Sequence, residues 1–446
     1  MEISQWIEKN REQLIQDICT LVSVRSVSSH DSANSDSTSD APFGDGCKNV
    51  LETALELAKN YGLKTENHEG RCASALLPGK TSRELGIFSH LDVVPEGNGW
   101  EVTSPYEPII KDGWIYGRGS ADNKGPAVSA LYALRYLKEN GITLNHTVRQ
   151  FYGCDEENGM LDIEYYLSHH TAPDFSLVPD AAFPVCHGEK GRFTVTLEAP
   201  VSHNIEIFEG GEGKNSVPSG ARLRLVGSPV TLTSQGAASH AASPEKGINA
   251  ITLLARFSVD HGLVEGNDLR IFKFLSDALN DFYGSKLQID CEDSYSGKLT
   301  VTATCLEYKE GTLTLTLDIR YPVTANPTKI ETSLQTSALS YGWNTISIEH
   351  NPSFFLSPDS PIIRSLTNIC QESYQRVFEP YCMSGGTYAR KLPNAVGYGP
   401  GLSYQKKPCP EGHGRGHQPD ECVCIDNLIH AVEIYIRALI MLDSTV

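Results

Sequence analysis

At 446 residues with 40% hydrophobic content, the chain is long enough for two or three ordinary domains with normal cores. A formal charge of −18 argues against nucleic acid or an anionic membrane as a partner, because both reward basic patches. Met1-Glu2-Ile3-Ser4-Gln5-Trp6 lacks the basic start and apolar run of a signal peptide, and no apolar stretch is long enough to span a bilayer. Twelve cysteines at scattered spacings read as reduced thiols, which makes the cytoplasm the expected compartment.

Trp6, Ile7, Leu14, Ile15, Ile18, Leu21 and Val22 recur at three-to-four spacing and predict a first helix. His30 to Ala41, rich in Ser and Asp, reads as a loop, and Val50 to Tyr61 as a helix stopped by Gly62. Strands are expected at Ala73–Leu77, Leu85–Ser89, Val148–Gly153 and Phe175–Val178, with helices at Ala127–Asn140 and Asp162–His169. This alternation predicts an α/β fold with a mostly parallel sheet. From about Gly188 the pattern changes. Phe193–Leu197, Arg222–Val226, Leu299–Ala303 and Leu313–Arg320 alternate as half-exposed antiparallel strands do. Helical segments at Asn249–Phe257, Asp268–Phe282 and Thr328–Ser340 lie between them, giving an inserted α+β domain of two tandem strand–helix units. Helix returns after Ser360, so the expected division is 1–187, 188–356 and 357–446, with both flanks forming one domain.

Several short stretches can be read as one metal site: Ser89-His90-Leu91-Asp92, Gly117 to Gly125, Asp155-Glu156-Glu157, Pro179-Asp180 and His417. Imidazoles and carboxylates suit a pair of zinc-like cations that keep an open position for water. His90-x-Asp92 puts both side chains on one face of an extended segment, where Asp92 can orient a ligating His90. Read alone, the pair is a strand-end His beside a surface Asp. Asp122 sits in a glycine-rich turn where a carboxylate can bridge two cations. The nucleotide-loop reading of that turn fails, because Lys124 is not followed by Ser or Thr. Of the adjacent Glu156 and Glu157, one can bind metal while the other takes a proton from water; in isolation Asp155-Glu156-Glu157 is a solvated acidic turn. Cys422-Val423-Cys424 is too short for a zinc knuckle, and Cys154 reads as a small buried wall residue.

Taken in order, these motifs and the long gap before His417 resemble the di-zinc peptidase family of aminoacylases, carboxypeptidase G, succinyl-diaminopimelate desuccinylase and carnosinase. Within it they are most similar to the single-chain bacterial Xaa-dipeptidases of the peptidase V type, a likeness that includes Ala41-Pro42-Phe43-Gly44. The resemblance implies one metal on His90 and Asp180, a second on Glu157 and His417, and Asp122 bridging. It implies Glu156 as general base, Asp92 as orienter of His90, and a cis peptide after Asp122. Two divalent ions are implied as cofactors, zinc foremost, with manganese or cobalt as alternatives.

The inserted domain then resembles a lid that caps substrate. Ser239-His240-Ala241-Ala242-Ser243-Pro244 carries a histidine, His240, implied to polarise the scissile carbonyl and bind substrate. Asn215 in Asn215-Ser216-Val217-Pro218 is implied to contact substrate, and Arg320 in Asp318-Ile319-Arg320-Tyr321 to bind the free carboxylate of a dipeptide. Arg390, after Gly385-Gly386, reads equally as a substrate contact or a structural ion pair. Because the lid is doubled within one chain, a monomer is expected to be complete, with a dimer left open.

Two departures stand out: Cys154 where relatives often carry Thr, and a long loop from Ser403 to Gly416, whose His413 competes with His417 as a ligand. His417 is preferred because His417-x-x-Asp420-Glu421 matches the family spacing. The expected activity is hydrolysis of dipeptides or very short peptides with a free C-terminus, by metal-activated water and a Glu base. The alternatives are an N-acyl-amino-acid deacylase or desuccinylase using the same metals, and a non-catalytic binding homologue.

Overall fold

The computed structural model describes residues 1–30, 40–202, 204–211 and 213–446. Most of the loop expected between His30 and Ala41 lies outside the described residues. The chain divides into two compact units, Met1–His187 with Leu356–Pro380 and Thr387–Val446, and Gly188–Phe355 with Tyr381–Gly386.

The first unit opens with α1 (Ile3–Val22), which buries Trp6, Ile7, Leu14, Ile18, Leu21 and Val22 along one stripe. Each such side chain contributes about 1.5–3 kcal/mol when fully removed from water. α2 (Asp45–Asn60) follows, then the hairpin β1 (Lys64–His68) and β2 (Cys72–Leu77). β3 (Glu84–His90), α3 (Lys124–Glu139), β4 (Thr147–Gly153), α4 (Leu161–His169) and β5 (Phe175–Val178) complete the first pass. β3 runs parallel to both β4 and β5, and all three are buried almost throughout, as strands covered on two faces must be.

In the second unit β6 (Gly191–Pro200), β7 (Ile205–Gly210), β8 (Gly220–Leu225), β9 (Leu232–Gln235), β10 (Thr300–Lys309), β11 (Thr312–Tyr321) and β12 (Asn344–Asn351) form one sheet in the order β9-β8-β7-β10-β11-β6-β12. Every pairing in it is antiparallel. Along β11 the residues Leu313, Leu315, Leu317 and Ile319 are all buried, the period-two pattern of a sheet with one face on a core. That core also takes in α5 (Ala250–Asp260), α6 (Gly266–Lys273) and α7 (Pro327–Ser340). The helix expected over Asp268–Phe282 is shorter than its apolar pattern. After Lys273 one wide turn runs to Ala278, and the Asp281 carboxylate then accepts from the Tyr283 and Ser285 amides, which turns the chain.

The chain re-enters the first unit at α8 (Pro361–Tyr374), capped by Ser360, whose hydroxyl accepts from the Ile363 amide. β13 (Ala395–Gly397) joins the first sheet parallel to β5, and α9 (Ile425–Thr445) packs on α3, α1 and α8. The order is therefore β1-β2-β4-β3-β5-β13, followed by the antiparallel segment Cys186–Glu189. The sheet is mixed. Its four central strands are parallel and its margins antiparallel, because β1 and β2 are joined by a turn too short for a crossover. A small sheet pairs Ile109–Lys111 with Trp114–Tyr116 and the latter with Cys422–Cys424. Among the described residues, no helix is long and apolar enough to cross a membrane.

Candidate metal centre

Parallel strands present their C-terminal ends along one edge, and the candidate ligands follow from that. His90 is the last residue of β3, Glu156 and Glu157 open the helical turn that follows β4, and Asp180 lies just beyond β5. Asp122 stands immediately before α3, and His417 ends the long passage that follows β13.

These side chains converge. His90 Nε2 lies 3.0 Å from Asp122 Oδ1 and 3.7 Å from Asp180 Oδ2. His417 Nε2 lies 3.3 Å from Asp122 Oδ2 and 2.8 Å from Glu157 Oε1. The two oxygens of Asp122 thus face different imidazoles. Each of the sets His90/Asp122/Asp180, Asp122/Glu157/His417 and His90/Glu156/Glu157 offers donor atoms within 4.8 Å of one another, and among the described residues no other such set occurs.

Asp92 is buried behind this cluster. Its Oδ1 is 3.4 Å from His90 Nδ1, and its two oxygens accept from the amides of Glu156 at 3.2 Å and Glu157 at 3.0 Å. The main-chain O of Asp92 lies 3.0 Å from His90 Nδ1, so this residue sets the His90 ring through backbone and carboxylate together, and its carboxylate sets the turn carrying the two glutamates. The Asp122–Asn123 peptide is cis. The Asn123 side-chain Nδ2 donates to Pro179 O at 2.6 Å and Asp180 Oδ1 at 3.3 Å, tying the two carboxylate-bearing loops together.

The electrostatics suit cations. Burial, and then the charge of Asp122, push Asp180 up to about 7, and the same causes raise Glu157. Burial raises Glu156 well above the usual carboxylate range, and its Oε1 is buried without a hydrogen-bond partner. Hydrogen bonds to Asp122 and Glu157 raise His417 to about 11, and at His90 the pull of Asp122 and Asp92 overcomes the opposing effect of burial. Two imidazolium ions therefore balance crowded carboxylates that divalent cations would neutralise better, releasing the imidazole protons. The donor set of imidazole and carboxylate fits zinc, manganese or cobalt.

Besides Asp92, other residues that hold this arrangement carried no role in the sequence. Glu421, fully buried, accepts from the amides of Gly119 at 3.1 Å, Ala121 at 3.0 Å and Asp122 at 3.1 Å, and pairs with the buried Arg118 at 2.6 Å. The spacing of Asp420-Glu421 after His417 was its only signal. Gly416 matters for a steric reason: a Cβ there would lie 2.7 Å from Asp122 Oδ2. Asp162 accepts from the amides of Cys154 at 2.7 Å and Asp155 at 2.9 Å and from the Tyr388 hydroxyl, which fixes the entry to the glutamate turn.

Two doubtful residues fall outside the cluster. His413 Nδ1 is 2.7 Å from Asp420 Oδ2, and Asp420 also accepts from the amides of Glu101 and Val102. Cys154 is wholly buried with its thiol toward Cys47 O at 3.6 Å, as a wall residue would be. Arg390 lies in the helical turn Tyr388–Lys391 of the first unit.

The remaining candidates belong to the second unit. Asn215 and His240 are exposed on neighbouring segments: Ser216 bridges His240, and the Ala241 amide donates to Asn215 O at 2.9 Å. His240 Nδ1 accepts from the Ala242 amide at 3.0 Å. Asn249, further along the same motif, caps α5. Arg320 is buried, donating to Asp318 Oδ1 at 3.0 Å and to Ser384 O at 2.6 Å.

The sequence profile of Peptidase family M20/M25/M40 matches residues 86–441. The chain belongs to this family. It is accordingly a metallopeptidase, and hydrolysis of peptide bonds is its chemistry. Over 468 aligned residues the family member described here is 31% identical to YtjP of Bacillus subtilis (strain 168), with 97% of each chain covered. It is 29% identical to the Beta-Ala-Xaa dipeptidase of Lactobacillus delbrueckii subsp. lactis, with 98% of each covered. Among solved structures, human carnosine dipeptidase 1 shares the fold at a TM-score of 0.61 and 14% identity, covering 99% of both chains.

Proposed function

We propose that this peptidase cleaves dipeptides, or very short peptides with a free C-terminus, at a two-metal centre. The observation that carries the reading is Asp122, whose two oxygens face His90 on one side and His417 on the other. In this reading His90 and Asp180 would hold one ion, Glu157 and His417 would hold the other, and Asp122 would serve both. Bound divalent metal would polarise the peptide carbonyl and make water easier to deprotonate. Asp92 holds the His90 ring and, through the amides of Glu156 and Glu157, keeps base and ligand in register.

Glu156 acts as general base. Its unpartnered Oε1 accepts the proton of the attacking water and returns it to the leaving amine. Burial raises its pKa, which strengthens it as the base that takes the water proton. His240 donates to the oxyanion as it forms, an interaction made only in the transition state. Arg320, with the glycine backbone of Gly385-Gly386 beyond Ser384, takes the peptide carboxylate, and Asn215 contacts substrate beside His240. The second unit acts as the lid domain, of tandem strand–helix build, that caps the substrate. The name of the Lactobacillus relative supports a dipeptide substrate. The scattered spacing of the twelve cysteines supports a reducing, cytoplasmic setting.

Glu156→Gln is the direct test. Metal content is expected to stay at the wild-type level while kcat falls by about two to four orders of magnitude. Undiminished turnover would remove Glu156 from the chemistry.

A further inference from the structure

The passage that brings His417 to the metal centre carries a pair of sulfurs with no part in the roles above. Cys409 Sγ and Cys422 Sγ lie 3.9 Å apart, from positions 13 apart in the chain, and His417 falls between them. Their settings differ. Cys422 is wholly buried, in the short strand that pairs with Trp114–Tyr116, so its backbone is held. Cys409 is half-buried between the exposed Pro408 and Pro410, so it is the one that solvent reaches. Gly414 makes room for it: a Cβ there would lie 2.8 Å from Cys409 Sγ, and the φ of +88° favours glycine. Lys407 donates to Cys422 O, and its charge partly offsets the burial that raises the Cys422 thiol. The loop is already drawn together by His413 Nδ1, 2.7 Å from Asp420 Oδ2, and by the Cys422 amide, which donates to Gly414 O at 3.1 Å. Bonded sulfurs stand about 2.05 Å apart, a separation that a side-chain rotation with a small shift of the Cys409 segment can reach.

We infer that Cys409 and Cys422 are a site of reversible oxidation by peroxide, whose disulfide clasps the loop carrying His417. The Cys409 sulfur attacks one peroxide oxygen; an S–O bond forms, the O–O bond breaks, and the departing oxygen leaves as water with the thiol proton. The Cys422 sulfur then attacks Cys409 Sγ. The S–S bond forms, the S–O bond breaks, and hydroxide leaves as water with the Cys422 proton. Two thiols lose two electrons, and one hydrogen peroxide becomes two waters. Excess thiol reverses the change, as suits a reducing compartment where disulfides are transient and redox-sensing. The closed ring ties the Cys409 end of the loop to a fixed strand, with Gly416 and His417 inside it. The consequence for metal rests on the reading of His417 as a ligand: a tethered ligand lets its ion escape less often.

The test treats zinc-loaded wild type, Cys409→Ser and Cys409→Ala with a small excess of hydrogen peroxide, then maps unreduced peptides by mass spectrometry. In the wild type a peptide joining Cys409 to Cys422 is expected, with fragmentation separating Cys422 from Cys424, and dithiothreitol should abolish it. Amide hydrogen exchange over residues 410–421 should slow about tenfold on oxidation, and chelator-driven zinc loss should slow with it. Neither variant should show either change. Peroxide that leaves the pair unlinked, or that joins Cys422 to Cys424 instead, overturns the assignment. A linked loop whose exchange is unchanged overturns the clasp, and slowed exchange with unchanged zinc loss removes its effect on metal. A protein that holds no zinc before oxidation would remove the reading of His417 as a ligand, while the exchange result would still decide the clasp.

Discussion

Asp92 shows how much a single buried carboxylate can organise. Both oxygens are committed, one toward His90 and both to successive amides in the turn that carries Glu156 and Glu157. Asp92→Asn preserves volume but substitutes an N–H group for one acceptor, so it opposes either the ring or an amide. Zinc affinity, measured by competition with a chromophoric chelator, is expected to fall about 10–100-fold in this variant. The far-ultraviolet spectrum should stay native. Unchanged affinity would leave Asp92 a purely structural residue. At this scale, residues that do chemistry were easier to read from sequence than residues that hold them. His90, Asp122, Glu156, Glu157, Asp180 and His417 stood out as a set because their motifs, in order, resemble those of a known peptidase family. Asp162 and Tyr388 gave no such signal, since their bond joins positions 226 apart in the chain.

At the scale of elements, the loop before α3 is held by its distant partner rather than by its own contacts. Glu421 satisfies three amides of that loop and the guanidinium of Arg118, all away from water. Glu421→Ala would leave Arg118 buried without its counter-ion, a change expected to cost about 3–5 kcal/mol of unfolding free energy. Urea titration reads that loss, and metal binding should weaken with it because Asp122 is the third residue tethered. A variant as stable as wild type would contradict the role. The strands that carry ligands were legible because parallel, doubly covered strands read as short apolar runs bounded by breakers. The small sheet that pairs Cys422–Cys424 with Trp114–Tyr116 was not, because three-residue strands are too short for any periodicity to register. The antiparallel margin at β1 escaped for a related reason: Lys64–His68 is mostly exposed and polar.

For the whole molecule, acidity should act on stability away from the metal centre as well as at it. Burial holds His68 down to about 4 from its ordinary 6.5, so the folded protein keeps it neutral where the unfolded chain would protonate it. The unfolded state therefore binds more protons between these values. Its contribution to stability is complete above pH 6.5 and is lost as the pH falls toward 4. Urea midpoints taken across this window should fall less steeply in His68→Phe than in the wild type; parallel curves would rule the residue out. If bound metal drives dipeptide cleavage here, removing and restoring the metal shows it most directly. The protein is stripped with a chelator, reloaded with zinc, manganese or cobalt, and assayed on dipeptides beside acetyl- and succinyl-amino acids. Activity should vanish on stripping, return with metal, and favour the dipeptides. Turnover that survives complete metal removal, or a preference for the acylated amino acids, would contradict the account.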